Sequence, residues 1–150
     1  MEGNDLSNAI PQKLCFVLDG FVVRISEDDQ KAAEKARRKS RWKDLAALYE
    51  VDTMMVAHLW DLVWRSPYSF DLVTFESAHE DWYEAIIGRL DRSNVPYSTL
   101  LTYGEVDHFA QGLTFMPNII RVFHNVQSWQ FKFGHRGQYV DDPQVFKVHS

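Results

Sequence analysis

The chain has 150 residues, 45% of them hydrophobic and 25% charged, with a net charge of −5. Those proportions describe an ordinary globular protein with ten Phe and five Trp available for a core, and exclude a low-complexity or disordered chain. No apolar run approaches the ~18–20 residues that cross a bilayer, and a single Cys excludes an internal disulfide framework. The expectation is a soluble cytoplasmic protein with no membrane partner.

Residues 1–12 read as a flexible leader, because Gly3, Asn4, Ser7, Asn8 and Pro11 all disfavour regular structure. Leu14 to Leu18 is a short continuous apolar run closed by Asp19-Gly20, the pattern of a fully buried strand in a parallel sheet. Cys15 lies inside it and reads as core. Phe21 to Ile25 continues as a short flap. Ser26-Glu27-Asp28-Asp29 opens a helix, acids being favoured in its first turn.

From Asp28 to about Glu50 the chain is rich in helix-forming Ala, Lys, Arg and Leu. Asp52 caps a second helix running to Trp64, with Met55, Val56, Leu59, Trp60 and Val63 at the spacing of a buried face. Ser66-Pro67 ends it. Phe70 to Phe75 reads as a second strand. The next helix carries Trp82, Ile86, Ile87 and Leu90 on one face and stops near Asn94. Ser98–Tyr103 is a third strand, Val106–Leu113 a short helix and Asn118–Phe123 a fourth strand. Trp129 to Phe133 alternates, the mark of an edge strand. Gly134–Gly137 is a turn.

Strand and helix in alternation predict an α/β fold: a three-layer, Rossmann-like, mostly parallel sheet with helices on both faces. One domain spans 13–150. The helical stretch of about 28–66, inserted after the first strand, is placed to stand as a small cap over the carboxyl ends of the strands.

Charge is uneven. Seven bases between Lys31 and Lys43 (Lys31, Lys35, Arg37, Arg38, Lys39, Arg41 and Lys43) face one acid, Glu34, so the segment is +6 on a remainder of −11. Such a block suits an acidic partner surface or a polyanion. An aromatic stretch with Trp60, Trp64 and Tyr68 is a second candidate surface, unless those rings belong to the core. Zinc sites, nucleophile elbows and phosphate-cradling Gly-rich loops have no matching spacing here.

Open parallel sheets bind ligands beyond the carboxyl ends of their strands. That singles out Asp19-Gly20, Thr74 to Ser77, Tyr103 to Glu105 and His124-Asn125. The segment Phe16-Val17-Leu18-Asp19-Gly20-Phe21-Val22 resembles the first motif of the haloacid dehalogenase-like superfamily, an apolar strand followed by Asp-x-Asp-Gly. Over roughly residues 13–146 the order of strands is similar to that of small members. The resemblance implies Asp19 as acid/base, Thr74 as phosphate ligand and Lys132 or Arg121 as a candidate cation. It implies an acidic Mg²⁺ pair where His124-Asn125 stand, or, in another register, at Asp141-Asp142 together with Asp19.

One departure is decisive for chemistry. Val17 occupies the position of the nucleophilic Asp, and an alkyl group can neither attack phosphorus nor bind a metal. His124-Asn125 is likewise a poor Mg²⁺ site, since that ion prefers carboxylate oxygens. The expectation is therefore a catalytically inactive member acting as a binding or regulatory protein, without a cofactor, through contacts with a protein partner. The binding residues would be Lys31, Lys35, Arg37, Arg38, Arg41 and Lys43. The alternatives are a Mg²⁺-dependent phosphohydrolase with a non-standard nucleophile (Asp19, Thr74, Lys132; metal at Asp19, Asp141, Asp142) and a nucleic-acid adaptor using the basic helix.

Overall fold

The computed structural model describes residues 11–141. The predicted leader, all but its last two residues, and Asp142 lie outside the described residues. Seven strands and six helices follow in chain order: β1 Lys13–Val17, β2 Val23–Ile25, α1 Gln30–Arg38, α2 Trp42–Ala47, β3 Tyr49–Val51, α3 Thr53–Arg65, β4 Ser69–Thr74, α4 Glu80–Arg92, β5 Leu100–Thr102, α5 Val106–Gly112, β6 Ile119–His124, α6 Trp129–Phe133 and β7 Gly137–Tyr139.

Five strands form one parallel sheet in the order β5-β4-β1-β6-β7. β1 lies at its centre. Leu14 through Val17 are buried because both neighbours and both helical layers cover them. The chain steps outward from β1 to β4 to β5, then returns past β1 to β6 and β7. Right-handed crossovers put helices made on the outward and return legs on opposite faces. Thus α3 and α4 flank one face and α5 and α6 the other. On the first, Trp60 Nε1 donates to the Asn94 carbonyl at the end of α4 (2.7 Å), while Trp82, Ile86 and Leu90 are buried. On the second, Phe109 of α5 and Phe133 of α6 are buried. The expected three-layer α/β architecture is the one observed.

The insertion after β1 departs from the helical pattern in two places. The predicted helix of 28–50 is cut after Arg38. Ser40 adopts a left-handed conformation (φ 54°), its N–H donates to the Arg37 carbonyl, and the Arg41 N–H reaches back to Ala36. That is a Schellman stop, here without the usual glycine. Tyr49, read as the edge of that helix, lies instead in β3, which pairs antiparallel with β2. The insertion is therefore a two-stranded ribbon carrying α1 and α2. The next helix, α3, is the crossover to β4, and Asp52 caps it as expected by accepting from the Met55 N–H (3.0 Å).

Trp129–Phe133 is a helix, not an edge strand. Five residues cannot separate alternation from a helical turn. Trp129 and Phe133, four apart, meet on one side (6.3 Å between ring centres). Phe131, which alternation would place with them, is 94% exposed. The fifth sheet position is taken by β7, in the segment read as a turn and its sequel.

Candidate functional site

Beyond β1 the Leu18 N–H still bonds the Val73 carbonyl (2.7 Å), which carries Asp19 to the carboxyl edge beside β4. The chain then reverses at Gly20, whose φ of +86° disfavours any side chain. A Cβ there would also lie 2.2 Å from the Asn125 side-chain nitrogen Nδ2, which would have to move aside. Asn125, after β6, thus packs close to Gly20 at the β1/β6 side of the edge, where doubly wound sheets usually open. A pocket lies at the Asp19 turn, lined by residues of the ribbon and α1.

Thr74 ends β4 next to Asp19. Its hydroxyl donates to Asp19 Oδ2 (3.1 Å) and accepts from the Glu76 N–H (3.2 Å). Glu76 is held by two side chains from the insertion. Arg37 of α1 reaches it through Nε and Nη2 (3.0 and 2.7 Å), and Tyr49 of β3 donates its hydroxyl to the same Oε1 (2.6 Å). These bonds tie the insertion to the sheet edge. The Arg37 guanidinium is held more firmly charged by Glu76. Burial first, then the Asp19 charge, pushes the Tyr49 phenol above its ordinary range.

Asp19 is the group left unbalanced. Its Oδ1 is shut from solvent and has no hydrogen-bond partner, a state that costs on the order of 1–3 kcal/mol or more for a charged group. Burial, and secondarily the Glu76 charge, raise its carboxyl from 3.8 to about 6, against the lowering effect of the Thr74 hydroxyl. Asp19 lines a pocket of about 240 Å³ together with Arg24, Gln30, Arg37 and Tyr49, with Val23 and Ile25 as its apolar wall. Arg24 donates Nη2 to Asp52 (2.7 Å), while its Nε is buried without an acceptor.

Of the sequence-predicted residues, Asp19 and Thr74 are brought together. Lys132 is not with them: it pairs with Asp107 on the surface. Arg121 reaches the His135 carbonyl (3.3 Å). Asp141 is exposed and accepts from the Tyr139 hydroxyl (3.1 Å). His124 is fully buried, with Nε2 2.8 Å from Gln130 Oε1. The Gln130 amide nitrogen donates to the Gly134 and Gly137 carbonyls, so Gln130 Oε1 accepts from His124 Nε2, and His124 Nδ1 is left without a partner. Among the described residues no cluster of three or more His, Cys, Asp or Glu could hold a metal ion. Cys15 is fully buried, and burial pushes its thiol up, so it is core as expected.

The basic block divides. Arg37 turns inward to Glu76, whereas Lys31, Lys35, Arg38, Arg41 and Lys43 are exposed. Lys31, Lys35 and Arg38 recur at helical spacing on the outer side of α1, opposite the buried Ala33 and Ala36. Of the aromatic candidates, Trp64 is 81% exposed, while Trp60 is partly covered.

Sequence reasoning had reached Glu76 and Asn125 only as residues beyond strand ends, and missed Tyr49 and Arg24 as partners of the site. Both sit in the unrecognised ribbon. No family model, curated protein or solved structure matches this chain. No helix among the described residues is long and apolar enough to cross a membrane.

Proposed function

We propose that this chain is a non-catalytic protein of the haloacid dehalogenase-like kind, which binds an acidic protein surface through the outer face of α1. The observation that carries the reading is Val17. It stands two residues before Asp19, where attack on phosphorus would begin, and is fully buried in β1. An alkyl group there supplies no nucleophile. The central position of β1, with two strands on either side, supports the family-like architecture. Thr74, the residue that would hold a phosphate, already donates to Asp19 and accepts from Glu76. The exposed cations of α1 and the turn after it, facing only Glu34 within the segment, supply a basic surface on an acidic body.

A second reading, a Mg²⁺-dependent phosphohydrolase, is favoured by one feature. A carboxyl that titrates near 6 beside a pocket suits general acid/base work at neutral pH. The full chain is tested with Mg²⁺ and a generic aryl phosphate ester. No turnover above blank is expected, and turnover abolished by Asp19→Asn would establish the second reading instead. Binding is tested with a poly-glutamate peptide, short DNA and short RNA across a salt series. The peptide should bind and weaken with salt. Preference for nucleic acid would replace the protein partner with the adaptor role.

A further inference from the structure

We propose that α3 and the groove beside it pair with the same surface of a second copy of this chain, each Trp64 indole entering the other copy's groove. The inference goes beyond the α1 reading, and none of its residues lies on α1.

The outer side of α3 is apolar where a solvent-facing helix is usually polar. Apart from Thr53, His58, Asp61 and Arg65, every residue of α3 is hydrophobic. Met55, Leu59 and Leu62 turn to the core, which uses one stripe. Met54, Val63 and Trp64 are left outside it, and Trp64 is 81% exposed. A helix that is hydrophobic all round is normally covered all round. A bare indole leaves on the order of 200 Å² of side chain in water.

A cavity for such a ring opens next to it. Trp60, Val63, Tyr68, Phe70, Pro96 and Tyr97 line a groove of about 460 Å³. That size lies among those of pockets that bury small organic molecules, so an indole fits. The lining is reachable from solvent: Val63 is exposed, and Trp60, Tyr68 and Tyr97 are half-buried. Its walls are fixed before anything docks. Trp60 Nε1 donates to the Asn94 carbonyl (2.7 Å), the Tyr97 hydroxyl to Asp91 (3.2 Å), and the Tyr68 N–H to Ser66 Oγ (3.1 Å). Little side-chain freedom is therefore lost on association. Trp and Tyr in such a setting are the side chains that dominate interface energies.

The occupant is a second copy because the face complements itself. Trp64 follows Val63 in the chain and Val63 lines the groove, so knob and hole lie side by side. A two-fold axis between them carries each knob to the other copy's hole and makes both contacts at once. Charge repeats the pattern. Asp61 and Arg65, paired with each other and both exposed, are the charged residues of α3. They stand two positions either side of Val63. Antiparallel α3 helices with the axis at Val63 therefore set Asp61 of one copy opposite Arg65 of the other, with no like charges forced together. Two buried indoles supply roughly 400 Å² of the ~1,600 Å² of a standard interface, which suits a dimer of about micromolar affinity.

The experiment is sedimentation equilibrium of the full chain across roughly 1–500 μM, a range that brackets a micromolar dissociation constant. A concentration-dependent dimer is expected. Trp64→Ala removes the knob, and Ser98→Arg fills the hole from its exposed rim. Each should raise the dissociation constant at least about tenfold. Both positions are exposed, so the fold should hold in each variant. Mixed together, the two variants should associate more tightly than either alone, because one knob and one open hole remain. Phe131→Ala, which removes an exposed ring elsewhere, should leave the dimer unchanged. A monomer across the whole range overturns the proposal, and one whose groove takes up free indole assigns the face to another partner. Trp64→Ala as dimeric as wild type, or no gain on mixing, overturns it equally.

Discussion

The carboxyl edge of the sheet has two halves of opposite character. Around β1 and β4 it is polar: Asp19, Thr74, Glu76, Arg37 and Tyr49 share hydrogen bonds beside an open pocket. Toward β5, β6 and β7 it is sealed by rings. Phe109 meets Phe75, Tyr103 and Phe133 at 5.2–5.7 Å, Trp129 meets Phe75 at 5.1 Å, and His124 meets Phe133 at 5.2 Å. Three consecutive residues are shared out between them. Thr74 and Glu76 enter the polar network, and Phe75 between them enters the aromatic one. One half is built for stability, with its apolar area removed from water. The other keeps an unbalanced carboxylate that lowers stability and so has the character of a binding site.

The comparison breaks most visibly at Phe109. Its ring is fully buried, so Phe109→Ala should lower unfolding free energy by about 3–5 kcal/mol in denaturant titration. The Asp19 titration in the folded protein should not move. A shifted Asp19 would mean the two halves are coupled.

Asp19→Asn should act in the opposite direction. Because the carboxyl rises from 3.8 to about 6 on folding, the folded state holds its proton more tightly. The Asp19 contribution to stability therefore falls as pH climbs from about 4 to about 6, by on the order of 2–3 kcal/mol in all. The Asn variant lacks that slope. It should be more stable than wild type at pH 8 and close to it at pH 4, as measured by thermal or urea unfolding at both pH values. An unchanged pH slope would remove Asp19 as the unbalanced group.

Glu76→Gln should cost about 1–3 kcal/mol, because it takes a charged acceptor from Arg37 and Tyr49. It should also lower the Asp19 transition toward 3.8, since the Glu76 charge is the second cause of its rise; carboxyl-detected NMR titration reads this directly. The smallest stability effect belongs outside both halves. Lys35→Glu with Arg38→Glu, both exposed, should change stability by no more than about 0.5 kcal/mol. Binding to a poly-glutamate peptide should nevertheless be lost in a salt-series assay.

Much of the fold was legible because burial writes itself into long patterns. β1 reads as an uninterrupted apolar run, α3 and α4 as stripes at helical spacing, and Asp52 as a cap. Short elements were not legible. Three-residue strands such as β2 and β3 carry too few side chains for a period, and their pairing depends on residues about 25 positions apart. Trp129 to Phe133 has five residues, which fit alternation and a helical turn equally well. The site divides along the same line: Asp19 and Thr74 follow from strand ends, but Tyr49 and Arg24 depend on the ribbon.

The sequence by itself determined the α/β class, the central buried strand that ends at Asp19-Gly20, and an alkyl side chain, Val17, two residues before Asp19. These are properties of residue type and local period. Only the tertiary structure decided that Arg37 leaves the basic face to hold Glu76, that Asn125 packs against Gly20, and that Asp19 and Arg24 line one pocket while each keeps an unsatisfied atom. Such facts depend on which distant side chains meet and which are cut off from water, and chain packing alone settles that.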